Sequence, residues 1–139
     1  MEQLGQVIAQ GLRPGMQLHL MGDLGAGKTT LVRGILRGLG YDGTVKSPTY
    51  TLVESYTLPP VTLYHFDFYR VKHPGEVEAI GFRDYHAEDA ICLIEWPELA
   101  GNTIGKPDML IRFTFVTVGR ELEIEALSEQ AKLLISKIT

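Results

Sequence analysis

The sequence predicts an α/β sandwich in which a mixed parallel/antiparallel sheet is flanked by helices. Three observations predict it. Segments of helical and strand character follow in the order helix, strand, helix, several strands, helix, which suits a mixed sheet better than an all-parallel one. A glycine-rich stretch at residues 22–27 separates the first strand from the second helix. Residues 90–94 form a compact apolar run without polar alternation, the pattern of a strand buried on both faces. The 139 residues, 45% hydrophobic and 22% charged, suffice for one core, so a single domain over 1–139 is expected.

Leu4, Val7, Ile8 and Leu12 recur at helical spacing and predict a helix over 2–12, ended by Arg13-Pro14-Gly15. Residues 17–21 predict a short strand. From Lys28 onward, Leu31, Val32, Ile35, Leu36 and Leu39 fall on one helix face, and Gly40 is a fitting stop. Gly34 and Gly38 on that helix cost stability relative to Ala, so close packing against a neighbour is the expected reason for them. Residues 50–58 and 61–68 are rich in β-branched and aromatic side chains, with Pro59-Pro60 as the turn between two strands. A short helix is expected over 75–82. Residues 90–94 make the buried strand and end at Glu95. Residues 109–118 and 121–126 flank Gly119-Arg120, which predicts a two-residue type II′ hairpin turn. Ser128 can cap a last helix whose inner face is Ala131, Leu134, Ile135 and Ile138.

Composition excludes several classes. The 13 Lys+Arg against 17 Asp+Glu leave a net charge of −4, which argues against a broadly basic nucleic-acid binder. With Cys92 as the single cysteine, an internal disulfide framework and a Cys-rich zinc site are excluded. No apolar run approaches the ~18 residues of a membrane helix. The N-terminus lacks the basic and apolar regions of a signal peptide, so a cytoplasmic location is expected.

Residues 22–29 read Gly22-Asp23-Leu24-Gly25-Ala26-Gly27-Lys28-Thr29 and fit the phosphate-binding pattern G-x-x-x-x-G-K-[ST] at every fixed position. Each residue type has a reason. Glycines let the backbone curl so that successive N–H groups point at phosphate oxygens. The helix beginning near Lys28 adds its positive end. Lys28 supplies a mobile point charge to the β- and γ-phosphates, and Thr29 offers a hydroxyl to Mg²⁺. Thr30, next along, is counted with the nucleotide-binding residues. At this chain's own Gly, Lys and Ser+Thr frequencies, chance gives roughly 0.007 such matches per chain of this length. The required strand before and amphipathic helix after are both expected, so the fold is P-loop NTPase-like.

A P-loop protein usually needs a further carboxylate at a strand end, to hold the Mg²⁺ shell or orient water. Asp67, after residues 61–66, and Glu95, after residues 91–94, are the two candidates. Each also reads as a solvated or salt-bridged strand end. The run before Glu95 is the more uniformly apolar, which places its strand centrally, beside the P-loop strand. Ser47 and Thr49 in Ser47-Pro48-Thr49-Tyr50 are the hydroxyls available to meet a γ-phosphate or its Mg²⁺, as in switch proteins; a proline turn entering a strand is the plainer alternative. His65 reads as a hydrogen-bonded histidine rather than a metal ligand. Trp96 reads as packing at a strand end, directly beside Glu95.

Together, the loop at 22–29, Ser47-Pro48-Thr49-Tyr50, His65-Phe66-Asp67-Phe68-Tyr69-Arg70 and Glu95-Trp96-Pro97-Glu98 resemble, in order and spacing, the bacterial TsaE (YjeE-type) ATPases. The likeness runs from about residue 3 to residue 126. The resemblance implies ATP and Mg²⁺ as ligands and a role in forming threonylcarbamoyladenosine, the modified base beside the anticodon of tRNA. It implies TsaD and TsaB as protein partners; the acidic balance of the chain makes tRNA a partner met only through the complex, and no membrane association is expected. It implies that Lys28 and Thr29 serve phosphate and Mg²⁺, and that Asp67, Glu95 and Trp96 belong to the nucleotide site. Glu95 is then the choice for the Mg²⁺ shell, Asp67 for the water-orienting or switch role, and Thr49 for sensing the γ-phosphate.

Two rival readings remain. A small-molecule P-loop kinase commonly needs an Arg-bearing lid, and the seven arginines here (13, 33, 37, 70, 83, 112, 120) are scattered. A GTP-binding switch needs an Asn-Lys-x-Asp element, which Asn102 to Asp108 does not fit. No arginine is placed, by sequence, to act as an internal finger on the phosphates.

Overall fold

The computed structural model describes residues 1–23, 25–86 and 89–138, apart from the Ile138 side chain. Leu24 and the Ile138 side chain, both named above, therefore lie outside the described residues. The elements run α1 (Glu2–Gly11), β1 (Gln17–Met21), α2 (Lys28–Gly38), β2 (Val53–Leu58), β3 (Val61–Asp67), α3 (Pro74–Ala79), α4 (Phe82–Tyr85), β4 (Ala90–Glu95), a 3₁₀ turn (Pro97–Ala100), β5 (Met109–Phe115), β6 (Arg120–Ala126) and α5 (Glu129–Ile138).

The six strands form one sheet in the order β2-β3-β4-β1-β5-β6. The inner four, β3-β4-β1-β5, are parallel, and an antiparallel strand closes each edge. The expected mixed α/β sandwich is thus observed. β4 is buried along its whole length and pairs with β1 on one side and β3 on the other. That is why its sequence is apolar without alternation.

Alternation in the strands divides the core into two layers. Leu18, Leu20, Leu63, Ile91, Leu93, Met109 and Ile111 pack under α1, α2 and α5. Phe66, Cys92 and Ile94 pack on the opposite face against Val77 of α3 and Phe82 of α4, with Ala100 of the 3₁₀ turn. α1 and α2 cross closely, as Gly34 and Gly38 suggested. A Cβ at Gly34 would collide with the Glu2 carbonyl, and one at Gly38 would lie 2.6 Å from Ala9 Cβ. Gly40 takes φ +95° just past α2, which ends the helix where expected. Ser128 Oγ accepts from the Ala131 N–H at 3.2 Å, the expected cap on α5.

Three local expectations change. The strand expected from residue 50 begins at Val53, because residues 48–52 form a turn closed by Leu52 N–H to Pro48 O at 2.8 Å. The helix expected over 75–82 is two short helices, parted at Gly81, whose φ is +78°. The hairpin turn is not Gly119-Arg120. Phe115 pairs with Arg120, so the loop is the four residues 116–119, with Gly119 (φ +88°) as its last member and Arg120 already in β6. The 3₁₀ turn after Trp96 was not anticipated.

Candidate functional site

Parallel register brings the site together. Leu20 of β1 and Asp67 of β3 both pair with Glu95, so the ends of three adjacent strands lie side by side. Residues 63, 65, 67 and 91, 93, 95 alternate onto the α2 face, which turns Asp67 and Glu95 toward the start of α2.

The glycine-rich loop leaves β1 at Gly22, whose φ is +146° and where a Cβ would lie 2.8 Å from the Phe113 carbonyl. Gly25 and Gly27 also take positive φ, +76° and +106°. Inside the loop the Ala26 N–H donates to Asp23 O at 3.2 Å, and the Ala26 side chain is buried. Gly27 caps α2, and among the described residues no side-chain cap bonds to the helix start. The first-turn N–H groups are therefore available to an anion, with the positive end of the helix dipole behind them.

Lys28 is 4% exposed. Its Nζ donates to Gly22 O at 2.5 Å and sits 4.1 Å from the centre of the Trp96 ring. Burial lowers its pKa, opposed by the charges of Glu95, Asp67, Glu98 and Asp23. Trp96 reaches this place through a left-handed backbone, φ +57°, that turns the chain out of β4. Asp67 accepts from the Tyr69 N–H at 3.0 Å, and Thr49 Oγ1 donates to its other oxygen at 3.5 Å. Burial raises the Asp67 pKa; the Tyr69 bond opposes this and the Glu95 charge adds to it. Glu95 Oε2 lies 2.6 Å from His65 Nε2, with the histidine fully buried, so His65 is the hydrogen-bonded group expected. Ser47 and Thr49 share a 2.6 Å hydroxyl–hydroxyl bond and bring the proline turn to the same place.

These groups line one cleft of about 230 Å³. Gly25, Gly27, Lys28, Thr29 and Thr30 form its loop side; Ser47, Thr49, Asp67 and Glu95 form the strand-end side. Gly22, Asp23, Ala26 and Trp96 are not among the cleft's walls: Gly22 O and the Trp96 ring contact Lys28, and Asp23 O accepts from the Ala26 N–H. Other clefts, beside Phe82 and beside Leu134, include none of the loop residues. Sequence reasoning missed Arg120. It is the cleft's remaining wall, and its Nη2 donates to Gly25 O at 3.1 Å. The scattered arginines are thus not all remote from the loop. The signal was the position of Arg120 at the start of β6, which has meaning only once the strand order is known.

Comparison with known proteins finds relatives in sequence and in fold. The family described as threonylcarbamoyl adenosine biosynthesis protein TsaE matches residues 1–124. A Haemophilus influenzae protein named tRNA threonylcarbamoyladenosine biosynthesis protein TsaE is 47% identical over 121 residues, covering 87% of this chain and 77% of that one. A Bacillus subtilis protein of the same name is 34% identical over 131 residues, covering 87% and 82%. The crystal structure of Bacillus subtilis YdiB matches the fold with a TM-score of 0.81 at 29% identity, over 99% of this chain and 85% of that chain.

Proposed function

The chain belongs to the TsaE family, and from that premise we propose that it binds and hydrolyses Mg-ATP as an accessory subunit in threonylcarbamoyladenosine modification of tRNA. TsaD and TsaB are its partners in this reading, TsaD transferring the threonylcarbamoyl group, and the setting is the cytoplasm. The observation that carries the reading is the buried Lys28 ammonium inside the glycine loop, facing the carboxylates of Asp67 and Glu95.

The residues suit the chemistry. The bare start of α2 and the curled loop offer N–H groups to phosphate oxygens. Lys28, bonded here to Gly22 O, would hold the β- and γ-phosphates. Mg²⁺ prefers a few protein oxygens together with water and phosphate, and when bound it neutralises charge developing on the phosphates. Thr29 supplies one hydroxyl. Glu95, with one oxygen held by His65, would offer the other to the Mg²⁺ shell. Asp67, held by the Tyr69 N–H, orients the attacking water; Thr49, bonded to Asp67, reports the γ-phosphate to the turn at residues 48–52.

The test is a bacterial strain depleted of its own TsaE. Expression of the parent chain restores threonylcarbamoyladenosine in bulk tRNA, measured by mass spectrometry, and Lys28→Ala does not. Failure of the parent to restore it, or full restoration by the folded Lys28→Ala protein, contradicts the reading.

A further inference from the structure

Arg120 has no part in the chemistry above, yet it lies on the loop. It opens β6 opposite Phe115, and its guanidinium carbon is 5.5 Å from the centre of that ring. From there Nη2 donates to Gly25 O at 3.1 Å, and the side chain passes so that a Cβ on Gly27 would lie 3.6 Å from its Cδ. An otherwise exposed arginine is thus laid along the phosphate loop from Gly25 to Gly27. The bond to Gly25 uses one of the five N–H groups of the guanidinium fork.

We infer that Arg120 holds the phosphate loop by Gly25 O and, with its remaining donors, binds the phosphates that ATP and ADP share. This rests on the reading of the loop as a nucleotide site. Charge balance supports it. Asp67 and Glu95 both repel phosphate, and Lys28 and Arg120 are the cations lining the cleft. Strand order supports the choice of phosphates. The P-loop follows β1; Asp67 and Glu95 lie on the β4–β3 side of it, and Arg120 on the β5–β6 side. A nucleotide whose Mg²⁺-bearing terminal end meets the carboxylates turns its inner phosphates toward Arg120. An arginine at this place both bridges a carbonyl and pairs with phosphate through a planar fork, which a lysine's point charge does less well.

The test is titration of the parent, Arg120→Lys, Arg120→Gln and Lys28→Ala with Mg-ATP and with Mg-ADP. Trp96 is the only tryptophan and lies against Lys28, so its fluorescence reports binding, with calorimetry as the check. Arg120→Gln removes the charge and leaves only a shorter amide donor. It is expected to weaken both nucleotides about tenfold or more, by a similar factor, at unchanged Tm. Arg120→Lys, which keeps the charge, falls between it and the parent. If Arg120→Gln binds both nucleotides as the parent does while Lys28→Ala does not, the inference is wrong and the nucleotide site stands. A loss confined to Mg-ATP puts Arg120 at the terminal phosphate and also overturns it. Normal binding by Lys28→Ala overturns the nucleotide site and this inference together.

Discussion

Burial works against the charged form of both Lys28 and Asp67. Lys28 is shifted down and Asp67 up, in both cases chiefly by burial. A carboxyl whose folded pKa is raised costs stability when it ionises, so Asp67→Asn is expected to raise Tm at neutral pH while slowing hydrolysis more than it weakens ATP binding. Glu95→Gln is expected to slow hydrolysis in the same way, since it removes charge where charge develops in the transition state. Parent-like phosphate release by either variant in the presence of the partner subunits would remove that residue from the mechanism. His19 gives a pH signature independent of the nucleotide site. It is buried, bonded at 2.5 Å to Gln17 Oε1, and burial pushes its pKa down to about 4. Below about pH 6.5 the unfolded chain binds a proton that the folded chain refuses, so stability falls as pH drops toward 4 and no further below it. The fall attributable to His19 is ~3 kcal/mol. Urea unfolding at pH 7 and pH 4.5 measures it, and His19→Leu should flatten that decline whatever it does to stability at pH 7.

Helix packing makes the same glycine-to-alanine change opposite in sign at two places. Gly34→Ala drives a Cβ into the backbone of Glu2, and backbone cannot step aside as a flexible side chain can. Overpacking of this kind costs about 1–3 kcal/mol and outweighs the ~1 kcal/mol gain in helix propensity. Gly75→Ala in α3 meets nothing within 4 Å, so there the loss of unfolded-state freedom prevails and stability rises by about 0.5 kcal/mol. Chemical denaturation of both variants checks the pair; a stabilised Gly34→Ala would mean that the α1–α2 crossing is looser than described. Elements marked by burial were also the ones legible from sequence. The apolar run at 90–94 announced a central strand and so placed Glu95 beside the P-loop strand, where it is found. Gly34 and Gly38 announced a close neighbour, though not that it was α1. What local sequence could not carry was where pairing starts. Gly119 looks like the first residue of a two-residue turn, but the ladder closes at Phe115–Arg120, and that register decides whether Arg120 is a turn residue or a wall of the cleft. In the same way the turn at 48–52 delays β2, and in doing so brings Ser47 and Thr49 to the site.

At the scale of the whole molecule, strand order makes one site from five separate stretches of chain. β4 inserts between β1 and β3, so residues near 28, 49, 67 and 95 meet, and β5 carries β6 to the other flank. No order of elements along the chain dictates that arrangement, which is why the carboxylates could be nominated from sequence while Arg120 could not. Among the described residues, the walls of the cleft are the loop and the first turn of α2, the strand ends with the turn before β2, and one arginine from a hairpin. Such a cleft is open to water, and a group supplied in trans by a second body can contribute ~10³–10⁵ in rate to phosphoryl transfer. The isolated chain is therefore expected to hydrolyse ATP slowly and the TsaB–TsaD pair to accelerate it, with ATP in turn favouring assembly, because coupling between two binding equilibria is reciprocal. With a net charge of −4, this chain alone is expected to bind tRNA weakly. Phosphate release measured for the chain alone, for the chain with purified TsaB and TsaD, and for Lys28→Ala in the same mixture tests the account most directly. It predicts slow release alone, a marked rise with the partners, and loss of that rise in Lys28→Ala; release unaffected by the partners, or undiminished in the folded Lys28→Ala protein, would contradict it.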